Sequence, residues 1–152
     1  MKLIISFIVT FAAAALGSYF TFPSVTTWYA SLNKPFFNPP NWVFGPVWTL
    51  LYILMAISLY LVWKKEASRP EKTKAMILYA LQLTLNALWS VIFFGMREPA
   101  IAFAEIVALG FAVILTARSF GKISTVSGRL FIPYIAWVVF AAVLNLSIVV
   151  LN

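Results

Sequence analysis

The stretch Trp28–Tyr52, WYASLNKPFFNPPNWVFGPVWTLLY, decides how the chain is read. From Pro35 to Pro46 it holds four prolines, at 35, 39, 40 and 46, interleaved with Phe36, Phe37, Trp42 and Phe44 and followed by Trp48. A proline lacks the amide donor and pushes the residue before it out of the helical region, so neither regular helix nor strand is expected until Pro46 is passed. The stretch reads as a stiff aromatic loop between apolar segments of membrane-spanning length, and as a lid over what those segments form.

Those flanking segments place the chain in a bilayer. Hydrophobic residues make up 63% of it and charged residues 10%, with a mean hydropathy of +0.97, against roughly half apolar and a quarter charged in a soluble domain. The expected fold is a single all-α membrane domain over residues 1–152, a bundle of five transmembrane helices at about 3–22, 44–63, 75–95, 99–120 and 130–151. The first run, with Lys2 ahead of it and small residues from Ala12 to Gly17, also imitates a secretory signal peptide. Its length favours a retained helix, whose Ala13 and Gly17 admit a close neighbour. Pro46 is expected in the first turn of the second span, and Lys64–Lys74 as a polar linker. Met96-Arg97-Glu98 is short enough to force the third and fourth spans to be antiparallel neighbours. Gly121–Arg129 reads as a second polar loop, and Pro133 is expected to kink the fifth span near its start.

Charge gives an orientation. One end of such a bundle collects Lys2, Lys64, Lys65, Arg69, Lys72, Lys74, Arg118, Lys122 and Arg129, and the other end keeps Lys34 and Arg97. The positive-inside rule then puts the N-terminus in the cytoplasm and the first loop and the C-terminus outside. The net charge of +7 is therefore read as a membrane signal and not as a nucleic-acid footprint. His, Cys and Asp are absent, which removes thiolate and imidazole nucleophiles, disulfides, ordinary zinc sites and the usual axial ligands of haem; no metal and no required cofactor are expected.

Within the spans, Gln82, Asn86, Trp89 and Phe93 fall at steps of four, three and four, one helical stripe, as do Tyr134, Trp137, Ala141 and Asn145. Asn86, Trp89 and Phe93 should lie at the depth of Ala141 and Asn145, with Trp48 and Tyr52 entering from above. An amide in hydrocarbon is expensive, so Asn86 and Asn145 should bond each other or face a cavity. Two readings stand: amides as helix glue with tryptophans as filler, or a pocket lined by aromatic groups and a few polar ones beneath the loop. Glu105, the one acid inside a span, is a further functional candidate.

The run Trp28–Tyr52, with LQLTLNALWSVIFFG at 81–95 and PYIAWVVFAAVLNL at 133–146, resembles the translocator protein family, also called the tryptophan-rich sensory proteins (TspO/MBR), over almost the whole chain. The resemblance implies a five-helix bundle, often dimeric, in a bacterial-type cell membrane. It implies a pocket under the first loop that binds porphyrins such as protoporphyrin IX, and synthetic isoquinoline carboxamide or benzodiazepine-type ligands. By position, Tyr29, Pro39, Trp42, Tyr52, Asn86, Trp89, Phe93, Ala141 and Asn145 match the surroundings of the ligand, and Trp48 and Trp137 match tryptophans linked to porphyrin breakdown in light. Glu105 resembles an acidic position of the fourth helix. The final segment, LNLSIVVLN, lacks the Tyr and basic residue of the animal sterol pattern. The Gly-x-x-x-Gly pair of some third helices is also missing, and Ala100, Ala104, Ala108 and Ala112 offer a different small-residue ladder. Three functions are consistent with this: a receptor or sensor for tetrapyrroles with a transport variant, a light- and oxygen-dependent porphyrin-degrading enzyme, and a structural bundle.

Overall fold

A computed structural model describes all residues, Met1–Asn152. The chain is helical throughout: α1 spans Lys2–Val25, α2 Trp28–Ser31, α3 Asn41–Lys64, α4 Arg69–Ser90, α5 Pro99–Ile123, α6 Thr125–Arg129 and α7 Ile132–Leu151. Helix α4 runs on without a break into a π turn, Val91–Gly95. Five segments are long and apolar enough to cross a membrane: α1, α3, Arg69–Gly95, α5 and Thr125–Leu151.

Several boundaries differ from those the sequence suggested. The proline-rich stretch is not irregular as far as Pro46, because Trp28–Ser31 makes a helical turn and α3 already begins at Asn41, with Pro40 as its N-cap. Pro46 sits in the second turn of α3, where it removes a single bond, to the Trp42 carbonyl, on an exposed surface of the helix. The irregular part shrinks to Leu32–Pro40. The polar linker before the third span is also shorter, since α4 starts at Arg69. Ser68 accepts from the Glu71 amide at 3.4 Å while Glu71 Oε2 accepts from the Ser68 amide at 3.2 Å, a reciprocal cap with Pro70 in the first turn. The segment 121–129 continues α5 to Ile123 and then forms α6, capped by Ser124. Pro133 does not kink a helix. It lies in the first turn of α7, where its missing amide costs nothing.

The long helices form a ring in which α3 packs on α1, α1 on α4, α4 on α5 and α5 on α7. The close α4–α5 pairing agrees with the tight turn at 96–98, and Gly17 lets α1 approach α4, where a Cβ would stand 3.2 Å from Ser90 Oγ. Between α3 and α7 the backbones scarcely meet, and aromatic side chains fill the space. The main core is built around Tyr52, Met55, Leu59, Tyr79, Leu109, Phe120, Phe131 and Tyr134. A smaller one, of Tyr29, Ile92, Phe93, Phe94, Ala102, Leu144 and Ile148, closes the end that carries the first loop. Of the small-residue ladder on α5, Ala100, Ala104 and Ala108 face outward and Ala112 faces the interior.

Candidate functional site

A buried polar chain crosses the centre of the bundle. The Tyr52 hydroxyl of α3 donates to Asn86 Oδ1 of α4. Asn86 Nδ2 donates to the Tyr134 hydroxyl of α7 at 2.7 Å, and that hydroxyl donates to Gln82 Oε1 at 3.1 Å. Gln82 and Asn86 reach the same partner because residues four apart share a helix face. Each group would be costly if left open in an apolar interior, and here each is paired.

The second expected amide belongs elsewhere. Asn145 accepts from Trp89 Nε1 at 3.0 Å and donates to the Pro99 carbonyl at 2.8 Å. Asn86 and Asn145 therefore neither bond each other nor stand open to a cavity. Asn86 is held at the level of Tyr134, eleven residues before Asn145 on α7, while Trp89 and Phe93 are held at the level of Asn145. Trp89 stacks on Phe93, with ring centres 5.0 Å apart and planes at 23°. Phe93, carried on the π turn, packs edge-on with Trp28 and at a tilt with Tyr29.

The first loop is tied down at this end of the bundle. The Tyr29 hydroxyl donates to Asn38 Oδ1 at 2.8 Å, and burial pushes its phenol pKa up to about 12. Lys34 Nζ donates to the carbonyls of Tyr29, Ala30 and Leu32 and lies 5.0 Å from the centre of the Tyr29 ring. Asn33 and Asn152 exchange bonds, with the Asn33 amide on Asn152 Oδ1 at 2.9 Å and Asn152 Nδ2 on the Asn33 carbonyl at 2.9 Å.

The seam between α3 and α7 is aromatic along its length. Trp48 and Trp137 meet edge to face, 6.5 Å apart at 90°. Phe44 packs on Trp137 at 6.0 Å, Trp137 on Phe140 at 5.3 Å, and Phe140 on Phe37 of the loop at 6.4 Å. Trp48 also reaches Tyr134 at 6.2 Å and Tyr52 at 5.9 Å, which links the seam to the polar chain. Trp137 Nε1 is buried and has no hydrogen-bond partner.

Of the residues expected at a site, Trp48, Tyr52, Asn86 and Trp137 come together around Tyr134, with Ala141 half-buried one turn above Trp137 on α7. Tyr29, Trp89, Phe93 and Asn145 form a second group under the loop. Pro39 is half-buried within the loop. Trp42 is 75% exposed on the first turn of α3 and joins neither group. Glu105 is buried on the inner face of α5, and neither of its carboxylate oxygens has a partner. Phe37, Phe44 and Phe140 complete the seam; the sequence marks the first two only as loop aromatics, and Phe140 follows Trp137 by three residues, the spacing of one helix face. No cluster of acidic, His or Cys side chains able to hold a metal occurs.

A family model described as the TspO/MBR family matches residues 6–151. The chain belongs to this family. It is 45% identical over 152 residues to the "Tryptophan-rich protein TspO" of Archaeoglobus fulgidus, covering 100% of this chain and 97% of that protein. It is 40% identical over 131 residues to the human "Translocator protein", covering 86% and 78%. To the "Tryptophan-rich sensory protein" of Cereibacter sphaeroides it is 41% identical over 125 residues, covering 82% and 77%. With five spanning helices, this TspO/MBR member is an integral, multi-pass membrane protein, and the names of its relatives support a function of the sensor or receptor kind.

Proposed function

We propose that the protein is a membrane receptor for a flat tetrapyrrole of the protoporphyrin IX type, taken up between α3 and α7 beneath the first loop. The observation that carries this reading is the seam. Along it two neighbouring helices whose backbones scarcely meet are bridged by aromatic side chains, with Trp48 and Trp137 perpendicular at 6.5 Å. Indole and phenyl faces suit a flat macrocycle through offset stacking, and rings turn aside at less cost than helices part. The same seam suits isoquinoline carboxamide and benzodiazepine-type ligands, which are also flat and aromatic. The first loop acts as the lid, held by Tyr29 and Lys34 and reaching the seam through Phe37. The N-terminus is cytoplasmic, the loop and C-terminus lie outside, and a homodimer would use the outward alanines of α5. Sensing, with passage of the tetrapyrrole as a variant, is the biological use we favour.

The test is a spectral titration of the purified protein with protoporphyrin IX in the dark and under illumination. Saturable binding with a shifted main absorption band is expected. Metal-free and iron porphyrin should bind with similar affinity, since no His or Cys can coordinate iron. A preference for the iron form of about a hundredfold, about 2.7 kcal/mol, or no saturable binding at all, would defeat the proposal. A second reading, light-driven porphyrin degradation, is favoured by one observation. Trp48 and Trp137 are adjacent oxidisable indoles, and consumption of bound porphyrin only in light would reveal it.

A further inference from the structure

The end of the bundle that carries the first loop has two cations, Lys34 and Arg97. Lys34 is committed to three carbonyls and the Tyr29 ring. Arg97 is exposed and its backbone stands in the left-handed region, with φ 60°, the one positive φ in the chain. A helix that ends on such a residue usually places Gly or Asn there, because a Cβ meets the following carbonyl. Arginine keeps its side chain against that preference, and outliers of this sort concentrate at binding sites. The helix before it closes through the π turn, with the Met96 amide on the Val91 carbonyl at 2.8 Å and the Glu98 amide on the Ile92 carbonyl at 3.1 Å. Such turns too are frequent at functional positions.

Beside Arg97 lies a cleft of about 510 Å³ between the end of α1 and the π turn, walled by Tyr19, Phe20, Phe22 and Phe94, with Arg97 as its one charged residue. Glu98 does not line it. The walls are fixed in place. Ser24 Oγ donates to the Phe94 carbonyl at 3.0 Å, and Phe20 lies so close over Gly95 that a Cβ there would come within 2.7 Å of its Cδ1. Tyr19 and Phe22 are 74% and 75% exposed on the outward side of α1, near the end of a spanning helix, where lipid headgroups lie.

We propose that this cleft binds an anionic phospholipid, with the phosphate on the Arg97 guanidinium and the root of the acyl chains over Tyr19, Phe22 and Phe94. The planar guanidinium fork matches two phosphate oxygens at once, and aromatic walls suit the interfacial depth. A zwitterionic lipid offers the same phosphate but brings its own ammonium, so the site prefers a headgroup of net negative charge.

The test is native mass spectrometry of the full chain in mixed micelles with phosphatidylglycerol or phosphatidylcholine, for the wild type and for Arg97→Gln, Arg97→Lys and Arg97→Gly. The wild type should bind one phosphatidylglycerol about tenfold more tightly than phosphatidylcholine, and the Gln and Gly variants should lose about that factor. Lys should retain part of it as a point charge. Glycine suits the backbone there, so a loss in Arg97→Gly is not a folding defect. The basic end of the bundle also attracts anionic lipid, so location is read separately. Phosphatidylglycerol should slow amide exchange at residues 91–98 in the wild type and not in Arg97→Gln. Equal binding of the two lipids, full affinity in Arg97→Gln, or protection confined to the Arg69–Lys74 end would overturn the proposal. Competition by millimolar inorganic phosphate as effective as that by lipid would show a bare anion site and would overturn it too.

Discussion

Replacing Asn86 by leucine tests whether the buried polar chain holds the bundle together. In the folded protein the Tyr52 hydroxyl has Asn86 as its acceptor, whereas the Tyr134 hydroxyl has both Asn86 and Gln82. Asn86→Leu therefore orphans Tyr52 and leaves Tyr134 with one partner. An orphaned buried hydroxyl costs about 1–3 kcal/mol, and an interhelical bond in a membrane protein averages about 0.6 kcal/mol. The expected loss is about 2–3 kcal/mol on those figures. Adding Tyr52→Phe removes the orphan, so the double variant should be more stable than the two single losses predict, by about 1–2 kcal/mol. Unfolding in mixed micelles, followed by far-UV dichroism, measures all four corners of the cycle. Costs that add to within about 0.5 kcal/mol would show that the Tyr52–Asn86 contact carries no energy of its own. The same proteins separate glue from ligand contact. If Asn86 only ties α3, α4 and α7, porphyrin affinity should recover with stability in the double variant; affinity that stays low would place the amide against the ligand.

Trp48→Phe and Trp137→Phe should keep most porphyrin affinity in the dark, because stacking tolerates another ring; variants that bind porphyrin in light without consuming it, while the wild type consumes it, would move the assignment to an enzyme. Pro39→Gly with Pro40→Gly should weaken ligand binding and leave helical content unchanged, since a preorganised loop loses less entropy on binding; unaltered affinity would remove the loop from the mechanism. Gly128→Ala should destabilise the fold by about 1–3 kcal/mol, because its Cβ would stand 2.7 Å from the Gly121 Cα and 2.9 Å from the Ala117 carbonyl. Denaturant unfolding in mixed micelles reads this loss, and an unchanged stability would refute the close approach at Gly128. Burial raises the Tyr29 phenol to about 12, so its contribution to holding the loop is complete below pH 10, its ordinary value, and is lost as pH rises through 10 to 12. The expected result is a rise in amide exchange of residues 29–38 above pH 10 that exceeds, in the wild type, the base-catalysed rise shared with Tyr29→Phe.

Span number and the ring neighbours α4 and α5 could be read from hydropathy and one short turn, because a bilayer tolerates few other solutions. Boundaries were legible only where polar chemistry was taken as seriously as apolar runs. Ser68-Arg69-Pro70-Glu71 looked like linker by charge, yet it is a capping signature, and the same applies to Ser124 before α6. The prolines misled in two ways. Pro46 does not end the irregular structure, because the helix begins five residues before it, and Pro133 starts a helix instead of kinking one. The two amide stripes were visible as patterns, but their partners were not. Spacing along one helix says nothing of the register of the next, and that register decides that Asn86 meets Tyr134 while Asn145 meets Trp89 and the Pro99 carbonyl.

That register bears on how a ligand would enter. Both amides are already bonded, so neither waits for a ligand; the unpartnered polar group at the seam is Trp137 Nε1, and binding on the proposed reading chiefly exchanges aromatic contacts for aromatic contacts. A flat ring between Trp48 and Trp137 would replace an edge-to-face contact with two stacked ones, a trade in which little is lost before the ring arrives. The opening this needs has one easy location. Helices α4 and α5 pack closely and share the Thr116 bond to the Leu78 carbonyl at 3.1 Å, whereas α3 and α7 meet mainly through side chains that can rotate. The loop is pinned away from that seam, through Asn33 to the end of α7 and through Tyr29 to the π turn, and reaches the seam with Phe37. Swinging Phe37 and Phe140 aside would uncover Trp137 without unfastening the loop, so Phe37→Ala should speed ligand association and dissociation together and change affinity little. A large loss of affinity with an unchanged association rate would show instead that Phe37 is part of the floor of the site.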